Sequence, residues 1–255
     1  MLNFPVTLHI LGHPFLLHSI LEMLGIFCGA RYYWHLRRGQ TEKLDIITSL
    51  TVLTGAAFGA YFGSHLLGAL ENIPQWLDSP SKLKYFLFNQ TIVGGLLGGL
   101  IGVELSKKIV KEKRSTGDLF VYPLLLAMII GRLGCFSAGI YEETYGLPTS
   151  LFWGMNLGDG IPRHPAALYE ILFLLCIWFV LRKIQGRYTL ESGAIFKLFM
   201  IFYLIFRFFL DFIKPGWRYF LGLGSIQIAC LLGLLYYRKF IFQKISKCAN
   251  RLMVK

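Results

Sequence analysis

The sequence predicts an all-α integral membrane protein with seven transmembrane helices, its N-terminus outside and its C-terminus in the cytoplasm. Three observations predict it. The 255 residues are 55% apolar and 16% charged, with mean hydropathy +0.55; soluble domains run at roughly 45–50% and about 25%. Seven apolar stretches approach the ~20 helical residues needed to cross a bilayer core about 30 Å thick. Lys and Arg crowd into alternate loops, as they do on the cytoplasmic side of membrane proteins.

The seven stretches fall at about 14–34, 46–70, 87–106, 119–140, 165–181, 194–213 and 221–237, within one polytopic domain over 1–255. The first Lys or Arg is Arg31, so no basic segment precedes the first stretch, and it reads as a retained helix and not a cleaved signal. Loop 31–43 holds four basic residues, 107–114 five, 182–187 three and the tail beyond Tyr237 six. The opposite loops carry only Lys82, Lys84, Arg163, Lys214 and Arg218. The net charge of +12 is therefore mostly topological, and nucleic acid is not needed to explain it. Tyr32, Tyr33, Trp34, Trp76, Trp217, Tyr219, Tyr236 and Tyr237 fall near span ends, where aromatic rings anchor at the interface. In the third stretch, Thr91–Glu104 carries overlapping small-residue spacings. These suit tight helix packing or leave room for acyl chains. The only long connection, Tyr141–His164, is polar and lies outside. No fixed-period repeat of the kind found in inverted-repeat transporters is visible. The five cysteines (28, 135, 176, 230, 248) form no CxxC and suggest neither a disulfide framework nor a zinc site.

Ionisable residues inside a bilayer cost several kcal/mol unless paired or hydrated, so they mark candidate chemistry. They are His18, Glu22, His65, Glu104, Arg132, Glu170, Lys197, Arg207 and Asp211. His18 and Glu22, like Arg207 and Asp211, are four apart on one helix face; mutual neutralisation competes with function at each pair. Gly131, Gly134 and Gly139 flank Arg132, whose guanidinium offers a planar fork of donors to a phosphate. Beyond it stand Glu142 and Glu143, then Arg163, His164 and Glu170 around Pro165, a residue suited to a helix start. Cys135 is either a nucleophile activated by the adjacent cation or a small packing residue.

Three motifs, GRLGCFSAG…YGLPT (131–149), RHPAALYE (163–170) and FYLIFRFFLDFIKP (202–215), resemble those of bacterial prolipoprotein diacylglyceryl transferases. Weaker likeness lies at GGLLGGLIG (94–102) and GSIQI (224–228), so the match covers most of the chain. The resemblance implies a seven-span inner-membrane enzyme. It moves the diacylglyceryl group of phosphatidylglycerol onto the lipobox cysteine of a secreted prolipoprotein, releasing glycerol phosphate, with no cofactor or metal. It implies that Arg132 and Arg207 are the two essential arginines that hold the phosphate. Tyr203 precedes Arg207 by one turn, and Gly146 closes the first motif. Glu142 or Glu143 shapes the acceptor side, and Tyr169 and Cys135 stand with the substrate-binding set. The sequence departs from the pattern at Leu97, where the family has a His, at Cys135 for Asn, at Ile140 for Glu and at Ala167 for Gln. The general base is then sought in His164 or in the His18/Glu22 pair. A transferase with another acceptor, or a non-catalytic lipid-binding or lipid-translocating protein, is the alternative expectation.

Overall fold

The computed structural model describes residues 4–10, 12–40 and 44–242. Lys43, Cys248 and the tail's Lys244, Lys247, Arg251 and Lys255, all part of the charge and cysteine counts, lie outside the described residues. The chain forms two compact units. One comprises residues 1–43, 115–199 and 212–215; the other comprises 44–114, 200–211 and 216–255.

The first unit opens with an antiparallel hairpin, β1 (Thr7–Ile10) and β2 (His13–Leu16), running directly into helix α1 (Leu17–Arg38). The first helix therefore starts three residues later than the apolar stretch, because strand pairing claims 13–16. In the second unit, α2 spans Ile46–Ala69 and the short α3 and α4 span Ile73–Asp78 and Lys82–Phe88, followed by α5 at Ile92–Ile109. Helices α6 (Val121–Ala138) and α7 (Ala166–Arg187) belong to the first unit. Then come α8 (Ala194–Leu210) and α9 (Ser225–Tyr236). Every expected apolar stretch thus carries an α-helix. Two segments, Ile46–Asp78 and Gly117–Tyr141, are long and apolar enough to cross a membrane, and the α4–α5 pair, bent by 88°, makes a third if counted as one span. Many large apolar side chains point outward: Phe58 is 73% exposed and Ile109 77%. A water-soluble surface seldom tolerates so much contiguous apolar area, whereas lipid does.

Capping explains several starts. Asp45 accepts the Thr48 N–H at 3.0 Å and Thr91 accepts the Gly94 N–H at 3.2 Å. Asp118, in the turn before α6, accepts the N–H groups of Gly193 (2.6 Å) and Phe196 (2.8 Å) and so closes the start of α8. The α4–α5 bend lies over Gly68, where a Cβ would stand 2.6 Å from the Asn89 backbone. There the His65 Nδ1–H donates to the Asn89 carbonyl at 3.0 Å, so this intramembrane histidine holds the bend.

Glycine sets both main helix crossings. Between α2 and α5, Gly55, Gly59 and Gly63 face Gly94, Gly98 and Gly102 so closely that a Cβ on any of them would strike facing backbone. The glycine run is a packing seam. In the first unit, Gly25 and Gly29 of α1 approach α6, with a Cβ on Gly25 falling 2.8 Å from the Ala127 carbonyl oxygen. Gly134 lies 3.1 Å, by the same measure, from the His18 carbonyl oxygen. That crossing delivers His18 to the C-terminal end of α6.

Candidate active site

Arg132 lies on the last turns of α6 and is 7% exposed; Glu170, in the second turn of α7, is 1% exposed. Arg132 Nε stands 2.9 Å from Glu170 Oε2. Its Nη1 also donates to Cys135 Sγ at 3.3 Å, one helical turn on. The guanidinium is thus held by an ion pair on one side and a hydrogen bond to sulfur on the other, and a cation held in place can act with little reorganisation. A buried charge without a partner would cost several kcal/mol, which is the physical reason for Glu170. The sequence reading had placed Glu170 among the costly residues without pairing it to Arg132.

The first turn of α1 presents His18 to the same region. Its Nε2 is 3.0 Å from Glu142 Oε1 and 3.7 Å from Glu22 Oε2. The expected i,i+4 pair exists, yet the nearer carboxylate comes from Glu142. Glu142 is placed by a sharp turn at Gly139, whose φ of +63° suits glycine and whose position leaves no space for a Cβ beside the Leu157 carbonyl. The ligating atoms of His18, Cys135 and Glu142 lie within 4.8 Å of one another. Sequence spacing does not announce this cluster, because His18 lies more than a hundred residues from Cys135 and Glu142.

The long loop folds back on itself beside this cluster. Strands β3 (Met155–Asn156) and β4 (Pro162–Arg163) pair, and Asn156 Oδ1 accepts the N–H groups of Gly158 and Gly160, each at 2.9 Å. Arg163 donates to Asp159 at 2.7 Å and lies over the Tyr145 ring at 5.1 Å. The Arg163 guanidinium beside Asp159 holds that carboxyl below its ordinary value. Gly146 N–H donates to the His164 carbonyl and His164 N–H to the Leu147 carbonyl, both at 3.0 Å. A Cβ on Gly146 would fall 2.5 Å from His164 Cβ, which accounts for the glycine. His164 Nδ1 is 3.1 Å from the Tyr169 hydroxyl, which accepts from Trp153 Nε1 at 2.8 Å. Trp153 was not foreseen. A shallow open cleft, with space for about one water-sized group, is lined by Cys135, Thr144, Tyr145, Ala166 and Ala167 among others. Glu143 is exposed and joins neither cluster.

In the second unit, Tyr203 and Arg207 are buried on α8, at 0% and 3% exposure. Asp211, expected to pair with Arg207 four residues earlier, meets a partner that sequence spacing did not indicate, Arg218. Arg218 Nη1 donates to Asp211 Oδ2 at 3.2 Å and to Gln227 Oε1 at 2.9 Å, and Nη2 donates to the Asp211 carbonyl at 2.6 Å. Gln227 also accepts Gly224 N–H and donates to the Phe208 carbonyl, fastening the start of α9. Leu97 packs at Gly233, where a Cβ would fall 3.0 Å from Leu97 Cδ2. Its position is one of apolar contact.

Residues 5–242 match the family model of prolipoprotein diacylglyceryl transferase. Similar proteins include phosphatidylglycerol–prolipoprotein diacylglyceryl transferases of Geobacter sulfurreducens (30% identical, 80% of each chain) and Nitratidesulfovibrio vulgaris (34%, 71% of each). A third, from Finegoldia magna, is 28% identical over 90% of each chain.

Proposed function

Because the chain belongs to the prolipoprotein diacylglyceryl transferase family, we propose that it transfers the diacylglyceryl group of phosphatidylglycerol to a prolipoprotein cysteine thiol. The acceptor sulfur attacks a glyceryl carbon, an S–C bond forms, and the C–O bond to phosphate breaks. Glycerol phosphate leaves with the electron pair. Two things are asked of the protein: a cation on the phosphate, and removal of the thiol proton.

The observation that carries the reading is Arg132, buried, held at 2.9 Å by Glu170 and adjacent to the His18–Glu142–Cys135 cluster. A fixed guanidinium in a water-poor site stabilises developing negative charge on the phosphate more strongly than one in solvent would. Arg207 and Tyr203 are assigned to phosphate binding on the family pattern. The thiol proton goes to the cluster of His18, Glu142 and Glu22. Gly146, His164 and Tyr169 shape the loop wall beside it, with Glu143 at the acceptor side. We also read the chain as one polytopic domain of the bacterial inner membrane with seven spans, N-out and C-in, so that loop 141–164 meets acceptors outside. The bias of basic residues and the α-helix in each of the seven apolar stretches support that reading.

Arg132→Ala and Arg207→Ala, assayed with phosphatidylglycerol and a lipobox-cysteine peptide by product mass, are each expected to lose about 10²–10³-fold in rate at normal membrane levels. Wild-type turnover in either variant would remove that arginine's role. Failure of the unaltered protein to release glycerol phosphate from labelled phosphatidylglycerol would favour a non-catalytic lipid binder.

A further inference from the structure

The hairpin ahead of α1 has two edges that differ in what they can bind. Leu17 N–H donates to the Val6 carbonyl at 3.0 Å, and the register sets Thr7 opposite Leu16, Leu8 opposite Phe15 and His9 opposite Pro14. Antiparallel pairs alternate between those that exchange hydrogen bonds and those that do not. Counting from Val6 and Leu17, the Leu8–Phe15 pair exchanges them, whereas Thr7, His9, Pro14 and Leu16 turn their backbone groups away from the hairpin. On β2 that outer edge is blunted, because Pro14 has no N–H. On β1 it is intact: Thr7 and His9 each present an N–H and a C=O, about 6.8 Å apart along the strand. Among the described residues the sheet has these two strands alone, and neither Thr7 nor His9 gains a backbone partner beyond them. Thr7, Leu8 and His9 are exposed. Leu8 and Phe15, opposite each other on one face, are 42% and 47% exposed. The base of the hairpin, in contrast, is fixed to the candidate site. Val6 N–H donates to the Ser137 carbonyl at 2.8 Å and the Phe4 ring meets Phe136 edge-on at 5.6 Å. Strand β2 passes without a linker into α1, whose second residue is His18.

We propose that the β1 edge docks the acceptor polypeptide as a third strand. An extended stretch beside the reacting cysteine pairs with Thr7 and His9 and lays apolar side chains against Leu8 and Phe15. The identity of that peptide rests on the transfer reading above; the edge itself does not. A row of alternating donors and acceptors at strand spacing is matched by another extended backbone, which a phospholipid headgroup does not offer. Main-chain bonds supply affinity with little regard to side chains, so one edge serves acceptors that differ around the cysteine. A peptide held on the hairpin is tethered to the helix start that carries His18, and the thiol meets its proton acceptor within one complex and not by chance encounter.

The test uses the full chain in nanodiscs of phosphatidylglycerol and phosphatidylcholine, with a lipobox-cysteine peptide for transfer and its serine counterpart for binding alone. His9→Pro removes one edge N–H and aims its ring at the incoming strand, while the bonds between β1 and β2 stay in place. It is expected to raise the cysteine peptide's KM and the serine peptide's Kd about 10-fold, with kcat and the response to phosphatidylglycerol within about twofold. His9→Val keeps the N–H and is expected to restore both constants. Benzoylphenylalanine in place of Phe15 is expected to cross-link to the serine peptide on illumination. Three results overturn the docking edge: unchanged constants in His9→Pro protein whose thermal midpoint and elution volume show it folded, an equal loss in His9→Val, or cross-links from residue 15 to lipid alone. Serine peptide captured there while the cysteine peptide gains no diacylglyceryl group overturns the transfer reading and leaves the edge standing.

Discussion

Arg132 makes contacts that a lysine cannot copy, since an ammonium on a flexible stem reaches Glu170 or Cys135 as a point charge and holds no plane. Arg132→Lys is therefore expected to keep the protein folded and to lose about 100-fold in transfer rate; a rate within twofold of wild type would show that charge alone suffices. Glu170→Ala does something different. It leaves a buried guanidinium without its carboxylate, and the expected cost is about 3–5 kcal/mol, read as a lowered thermal midpoint in micelles. Asp159 supplies a pH prediction. Arg163 donates to its carboxylate and depresses its pKa, so the contribution is full above the ordinary carboxylate value of ~3.9 and is lost as pH falls through the lower folded value. Amide-exchange protection of Asn156–Arg163 is expected to hold near about pH 5 and to drop toward about pH 2. An Arg163→Gln protein with the same profile would contradict this. The costly residues were legible because lipid makes each one conspicuous. Their partners were not: an i,i+4 rule finds Glu22 for His18 but has no view of Glu142, and nothing local ties Arg218 to Asp211.

At the scale of elements, the same residue type has opposite consequences on two faces of α5. Gly98 faces α2, where a Cβ would stand 2.9 Å from Gly63 Cα and still closer to the Gly59 carbonyl; Gly95 sees nothing nearer than 3.8 Å. Gly98→Ala must push two backbones apart, at an expected cost of about 1–3 kcal/mol or more. Gly95→Ala gains helix propensity, an expected effect of about 0.5–1 kcal/mol in the stabilising direction. Thermal midpoints of the two variants should move oppositely, and a shared direction would mean the seam is not glycine-limited. The helices themselves were legible from apolar length, and their ends less so. The bend at Asn89–Thr91 and the hairpin ahead of α1 depend on His65 donating to a distant carbonyl and on strand pairing, neither of which leaves a periodic trace.

For the whole molecule, orientation decides whether the chemistry can reach its acceptor, because a secreted prolipoprotein meets the enzyme only from the outer face. The argument for N-out, C-in is electrostatic. Four alternate segments hold eighteen of the 26 Lys and Arg, and placing such loops outside would oppose both insertion bias and the negative inner leaflet. The loop carrying Gly146, His164 and Glu142 then lies outside with its Asp159–Arg163 hairpin, while Lys111–Arg114 lies inside. Single cysteines at Ser150→Cys and Lys113→Cys, both exposed positions, in a background with the native cysteines replaced by serine, separate the two faces. A membrane-impermeant maleimide is expected to label the first in intact cells and the second only after the membrane is opened. The reverse pattern would place the cluster at the end of α6 on the cytoplasmic side, where no secreted acceptor arrives, and the transfer reading would fail even with every contact in the site intact.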